Sequence, residues 1–291
     1  MADKRIISLS IEGATLRLLT YNRGSVEAWD SVPFNPEFVS MGHVVDPTGL
    51  GGVIKNALEQ RDLTKGRVIC ALPGVRTMSR VMTIPKVPKK ELAGVVSREA
   101  RRVMSISEED NYLHWQLLPG EPDVFQVYVV VVPRDPLHAL VKAIQEAGLR
   151  PYAIDLKSLA LMRAVNRKDA IIANVESNNL ELVIVADDVP RLVRSVFLGE
   201  GVVSQDYAVG HVGDEITRTI TFYNDSNPDR PLGPELPIFL TGATASGVSF
   251  ALNVAALIGY PVQPLDPPLR YPEDFPVAEF MVNLGLILKV V

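Results

Sequence analysis

Cysteine is nearly absent from this chain: Cys70 is the single one among 291 residues. That excludes a disulfide framework and a cysteine-rich zinc site. Its place in the apolar run 68–72 predicts a buried, reduced thiol in a cytosolic protein. Histidine is also scarce. His43, His114, His138 and His211 lie far apart and lack metal-ligand spacing. No charge of one sign dominates, since 29 Lys and Arg stand against 34 Asp and Glu, a formal net charge of −5. Mixed along the chain, that balance argues against a nucleic-acid-binding surface. No apolar run reaches the ~20 residues of a spanning helix. The opening run 6–12 is too short and too interrupted for a signal peptide. The glycines at 49–52 lack the Lys and Ser/Thr of a phosphate loop and read as a helix start. What is present is apolar substance, 47% of the residues, enough for a soluble globular protein of one large or two ordinary domains.

Three segments separate by pattern. The first opens with strands at 5–11, 15–21 and 26–32, joined by turns at 12–14 and 22–24. Leu50, Ile54 and Leu58 at helical spacing precede a strand at 67–72. The middle segment, 73–149, reads as a compact α/β unit. It has strands at 77–84, 112–118 and 125–132, the last buried on both faces. Its helix 89–104 sets Leu92, Val95, Val96 and Val103 on one face and Arg98, Arg101 and Arg102 on another. The three arginines read as a solvated face, with an anionic partner surface as the functional alternative. A second helix, 136–147, stops at Gly148.

The third segment begins with a strand at 152–155 and a helix at 156–164, and then repeats the opening. Ile11, Glu12, Leu16 and Leu18 match Val175, Glu176, Leu180 and Leu182 at one offset of 164 residues. Both copies continue into a third strand, the second at 190–197. Two such units imply two related halves facing each other. A helix carrying Val212, Ile216, Ile220 and Tyr223, a polar loop 225–235, a strand 237–241 and a helix 246–258 follow. The apolar end, 280–291, reads as a core-packed helix, with a membrane contact as the minor alternative.

Duplicated three-stranded units with an α/β insert in the first half resemble the actin-like ATPase superfamily, and within it the branch of FtsA and PilM. The stretches VICALPG (68–74), RVMTIP (80–85) and Arg98-Glu99-Ala100, AGLRP (147–151) running into IDLKSLA (154–160), and IFLTG (238–242) with the helix and GYPV (259–262) after it look most like the PilM family of type IV pilus assembly. The resemblance covers almost the whole chain. It implies an α/β actin-like fold of two halves with duplicated mixed sheets. The first half would comprise 1–72 plus 150–169, the inserted α/β subdomain 73–149 and the second half 170–291.

The chain departs from the family at the phosphate-facing turns. The family carries Asp-x-Gly in both repeats, the Asp serving the magnesium shell and the Gly admitting phosphate to backbone N–H groups. Here the triplets are Ser10-Ile11-Glu12 and Asn174-Val175-Glu176. A carboxylate ~4 Å from a phosphate oxygen costs ~1 kcal/mol in water and ~4 kcal/mol near a protein surface. Three readings of the glutamates stand side by side: solvated turn residues, members of an inactive cleft paired with a base such as Arg17, or ligands of a divalent cation without nucleotide. The loop 225–235 also leaves no room for the subdomain that closes over adenine in the family, and Thr241-Gly242-Ala243 keeps one glycine of its Gly-Gly turn.

The resemblance therefore implies a degenerate nucleotide cleft at Ser10, Glu12, Gly13, Thr15, Asn174, Glu176, Ser177, Asn178, Thr241 and Gly242. No catalytic residue, metal or cofactor is expected, and ATP with magnesium enters only in the alternative. It implies a pseudo-ATPase adaptor, cytoplasmic and peripheral to the inner membrane. Its partners would be the short cytoplasmic tail of a PilN-like membrane protein, held in a groove between the first half and the insert, and other pilus platform proteins. The alternatives are a nucleotide-binding actin-like ATPase of pilus assembly and an FtsA-like cell-division adaptor that polymerises.

Overall fold

The computed structural model describes residues 5–63, 66–72, 77–120, 123–199 and 205–291, so Pro73 and Gly74 of the VICALPG stretch lie outside the described residues. The first half opens with β1 (Ile6–Glu12), β2 (Thr15–Asn22), β3 (Ser25–Pro33), the short strands β4 (Val39–Ser40) and β5 (His43–Val44), α1 (Pro47–Glu59) and β6 (Arg67–Leu72). Then come β7 (Met78–Pro85), α2 (Lys89–Met104), β8 (Asn111–Leu118), β9 (Val124–Pro133), α3 (Arg134–Glu146), β10 (Pro151–Leu156) and α4 (Lys157–Val165). The second half holds β11 (Ala170–Val175), β12 (Asn179–Ala186), β13 (Val189–Phe197), α5 (Gln205–Ser226), β14 (Ile238–Thr241), α6 (Val248–Ile258) and α7 (Val277–Ile287).

The duplication is visible in the hydrogen-bond register. The first sheet runs β10-β6-β1-β2-β3 and the second β13-β12-β11-β14. In each, the first strand of the repeat pairs antiparallel with the next and parallel with a later one, β6 or β14. Ile11 faces Leu16 and Ser10 faces Arg17 across the first hairpin; Val175 faces Leu180 and Asn174 faces Glu181 across the second. The offset read from the sequence thus superposes the two hairpins residue by residue. The stretch 259–262 reaches the second sheet through a parallel bridge from Val262 to Ile238.

Apolar burial follows from this layering. α1 and α3 cover one face of the first sheet, joining Leu50, Ile54 and Leu58 to Leu140, Ala143 and Ile144. α3 lies within the segment 73–149 but packs on α1. Gly51 permits that approach, because a Cβ there would come 2.5 Å from Cβ of Glu146. α2 covers the insert sheet, ordered β7-β9-β8, through Leu92, Val96 and Ala100. Val103, expected on that apolar face, is exposed in the last turn of α2, and Ala100 takes its place in the packing. Val127–Val132 of β9 are buried throughout, because α2 covers one face and the first-half core the other.

α7 settles the apolar end of the chain. Phe280 through Ile287 are buried on all sides in the core that α4 and α7 share between the two sheets, which removes the membrane-contact reading of these residues. Among the described residues no helix is long and apolar enough to cross a membrane. Residues 227–237 join α5 to β14 with no further helix or strand, as the short polar loop predicts.

Candidate functional site

The two hairpin turns, β1–β2 and β11–β12, point into one cleft. Gly13 bends the first turn with φ +58°, a conformation that disfavours a side chain. A Cβ built on it would lie 3.4 Å from Oδ1 of Asn178 and 3.8 Å from Oγ of Ser177, so the turns of the two halves meet there. The end of β14 closes on the second turn. Gly242, with φ +94°, sits so near Val175 that a Cβ would come 2.3 Å from its carbonyl oxygen.

Beneath the turns, the polar side chains of the repeat are buried and bonded to one another. Ser10 Oγ donates to Asn283 Oδ1 at 2.9 Å, and Asn283 Nδ2 donates to the carbonyls of Ser8 and Arg17. Thr241 Oγ1 donates to Asn174 Oδ1 at 2.9 Å. Three of the residues named from the sequence, Ser10, Asn174 and Thr241, therefore form the floor. Glu12, Thr15, Glu176 and Ser177 line a cavity of about 410 Å³ above it, together with Arg17, Ser31 and Glu279.

The solvated-turn reading of the glutamates does not survive. Glu12 is 6% exposed and Glu176 4% exposed. Arg17 grips Glu176 with both terminal nitrogens, Nη1 to Oε1 and Nη2 to Oε2, each at 2.7 Å. The same guanidinium donates to the Glu279 carbonyl at 2.9 Å and pairs with its carboxylate at 3.3 Å. Such a planar fork-to-fork pair is the strongest geometry open to two charged side chains. The pairing with Arg17 that the sequence offered as one reading is the one found. Glu12 takes a different partner, accepting from Lys157 Nζ at 2.6 Å.

Lys157 and Glu181 are the residues that sequence reasoning missed. Lys157 opens α4 and is buried; Glu181 is buried on β12 at the repeat position of Arg17. The first half thus carries a cation where the second carries an anion. A charged residue within a largely apolar stretch was the signal available at both positions.

Burial dictates the ionisation here. It pushes the Glu12 carboxyl up to about 7, helped by the neighbouring Glu176 charge and opposed by Lys157 and Arg17. Burial also raises Glu181 against the pull of Lys157. On Lys157 burial acts downward, but the carboxylates of Glu12, Glu181 and Glu176 outweigh it and hold the ammonium above its ordinary range. Away from the cleft, burial pushes Cys70 up to about 12, which leaves it an inert core thiol. His138 hydrogen-bonds Tyr112 and His211 stacks on Tyr207. Among the described residues no group of three or more His, Cys, Asp or Glu is arranged to hold a metal ion. Arg102 of α2 pairs with Glu99 and Arg101 with Glu108 on the exposed face of the insert.

Residues 6–196 match the family model described as type IV pilus assembly protein PilM. No curated protein matches the chain. Among solved structures it is similar to the PilM-PilN type IV pilus biogenesis complex, with TM-score 0.81, 22% identity and 98% of each chain covered. It is also similar to the ethanolamine utilization protein EutJ from Carboxydothermus hydrogenoformans, with TM-score 0.59, 13% identity and 99% of this chain and 90% of that one covered. A third is the cytoplasmic domain of EpsL, an inner membrane component of the Vibrio cholerae type II secretion system, with TM-score 0.55, 13% identity and coverage of 97% and 95%.

Proposed function

This chain belongs to the PilM family of type IV pilus assembly proteins and has the actin-like fold, and on that premise we propose that it is an adaptor whose nucleotide cleft has decayed. It binds the short cytoplasmic tail of a PilN-like membrane protein, meets other proteins of the pilus platform, and is cytoplasmic, peripheral to the inner membrane through those partners. Its similarity over nearly the full length to a chain solved in a PilM-PilN complex supports the choice of partner. A cavity of about 210 Å³, lined by Thr77, Met78, Ser79, Leu156, Ser158 and Val193, lies where the insert's first strand meets the start of α4 and the edge strand β13. An extended tail seated near it would combine main-chain hydrogen bonds with side-chain pockets.

The observation that carries the loss of ATP binding is the occupied cleft. Both turn carboxylates face inward and are paired with the protein's own cations, Glu176 with Arg17 and Glu12 with Lys157. A polyphosphate would have to displace those pairs and then sit beside the freed carboxylates, against a repulsion of ~4 kcal/mol per close charge pair at a surface-like dielectric. The run 227–237, too short for a closing subdomain, supports the same reading.

Calorimetric titration of ATP with magnesium tests it, with Glu12→Gly/Glu176→Gly run alongside. The parent should give no heat of binding, and the double variant, with two glycine turns and with Arg17 and Lys157 each facing one carboxylate fewer, should bind. Micromolar binding by the parent would restore a nucleotide-regulated ATPase. A synthetic peptide of the PilN-like tail should bind the parent one to one, and Met78→Asp should weaken it if the tail lies beside β7.

A further inference from the structure

Among the described residues, the cleft gathers four carboxyl groups, Glu12, Glu176, Glu181 and Glu279, against two cations, Arg17 and Lys157. Arg17 is committed to Glu176 and Glu279. That leaves Lys157 alone between Glu12 and Glu181, and its hydrogen bond goes to Glu12. One oxygen of each of these carboxyls, Oε1 of Glu12 and Oε1 of Glu181, is buried with no hydrogen-bond partner. Unpaired carboxylate in a dry site is costly, and a proton removes that cost.

The groups come from both halves. Glu12 and Arg17 sit on the first hairpin and Lys157 on α4; Glu176 and Glu181 sit on the second hairpin and Glu279 on α7. We propose that this cluster is a proton-operated latch between the halves: with a proton shared on the Glu12–Lys157–Glu181 group the cleft is closed, and loss of that proton loosens the contact between the two hairpins. The groups facing Glu12 are Lys157 from α4, Glu176 from the end of β11 and Arg17 from β2; Lys157 in turn faces Glu181 from β12 and Glu176. With every carboxyl ionised the cluster carries two surplus negative charges: Glu12, Arg17 and Lys157 leave the first half at +1 and Glu176, Glu181 and Glu279 leave the second at −3, so ionising Glu12 weakens the attraction between them.

The sign follows from Glu12, whose carboxyl is raised from 4.5 to about 7 in the folded protein. A raised acid favours the folded, closed state at low pH. That contribution is fully present below about 4.5 and is lost as pH rises through about 7. The latch is therefore closed in mildly acidic solution and loosened in mildly alkaline solution.

Amide hydrogen exchange of the whole chain, corrected for intrinsic chemical rates, tests this on segments 10–17, 174–181 and 277–287. Exchange there should be roughly tenfold faster at about pH 8 than at about pH 6, while the insert stays unchanged. Glu12→Gln should remain slow at both values. Glu181→Gln, which removes the other surplus charge, should also slow exchange at the higher pH and serves if the first variant does not fold. Equal exchange at both pH values in the parent would overturn the latch. So would an unaltered pH response in both variants, or recovery of slow exchange on adding magnesium, which would make the closing cation a metal rather than a proton.

Discussion

Gly285→Ala should unfold or severely destabilise this protein, although alanine is by itself the better helix former. Gly285 lies in α7 against α4, and a Cβ there would come 1.8 Å from the carbonyl oxygen of Ala160 and 2.4 Å from its carbonyl carbon. Those atoms are backbone of a buried helix, so no side chain can turn aside. Relief requires α4 and α7 to separate in the core that joins the halves. Overpacking costs about 1–3 kcal/mol where neighbours can adjust and more where they cannot, against about 1 kcal/mol gained in helix propensity. The steric effect wins. Urea denaturation should show the midpoint falling sharply, or no folded baseline at all. Gly94→Ala in α2 is the control, since nothing lies within 4 Å of a Cβ there. It should stabilise by about 0.5–1 kcal/mol. A Gly285→Ala protein as stable as the parent would mean that α4 and α7 do not approach as described.

Arg17→Met should be the most damaging change of a single charge. It leaves Glu176 buried without a counter-ion and frees Glu279, and breaking a buried pair from one side costs about 3–5 kcal/mol. Removing the carboxylate as well, in Arg17→Met/Glu176→Met, should recover much of that loss, because the penalty lies in the stranded charge rather than in the absent attraction. Arg102→Ala, which breaks the pair to Glu99 where the Arg102 side chain is 72% exposed, should cost about 0–1 kcal/mol. Comparing denaturation midpoints of the three variants decides the matter. A loss for Arg17→Met no larger than for Arg102→Ala would place the Arg17–Glu176 pair in water.

Much of the architecture is legible in the sequence because it is written in local pattern. Alternation and turn residues mark the hairpins, helical spacing marks α1, α2 and α5, and α2 begins and ends where its periodicity does, with Ser105 in the left-handed region just beyond. The repeat at one offset is readable because a hairpin's register is a property of neighbouring residues, and both copies preserve it. α3 is harder: its amphipathic face announces burial but not against what, and its docking on α1 depends on Gly51 approaching Glu146.

The turn glutamates mark the boundary between the two kinds of knowledge. Sequence alone determined that both repeats carry a carboxylate at the matching turn position, Glu12 and Glu176, and that the segment before β14 was too short for another subdomain. It could not choose among solvation, pairing and cation binding, because the deciding partners are remote: Arg17 and Glu176 are 159 positions apart, and Lys157 and Glu12 are 145 apart. Only the tertiary structure, by folding two halves onto α4 and α7, brought those charges within hydrogen-bond distance and removed the water. Local pattern encodes which face of an element is apolar. Whether a charge is solvated, paired or protonated depends on the field and burial supplied by the rest of the molecule, and these do not exist until the chain has closed around it.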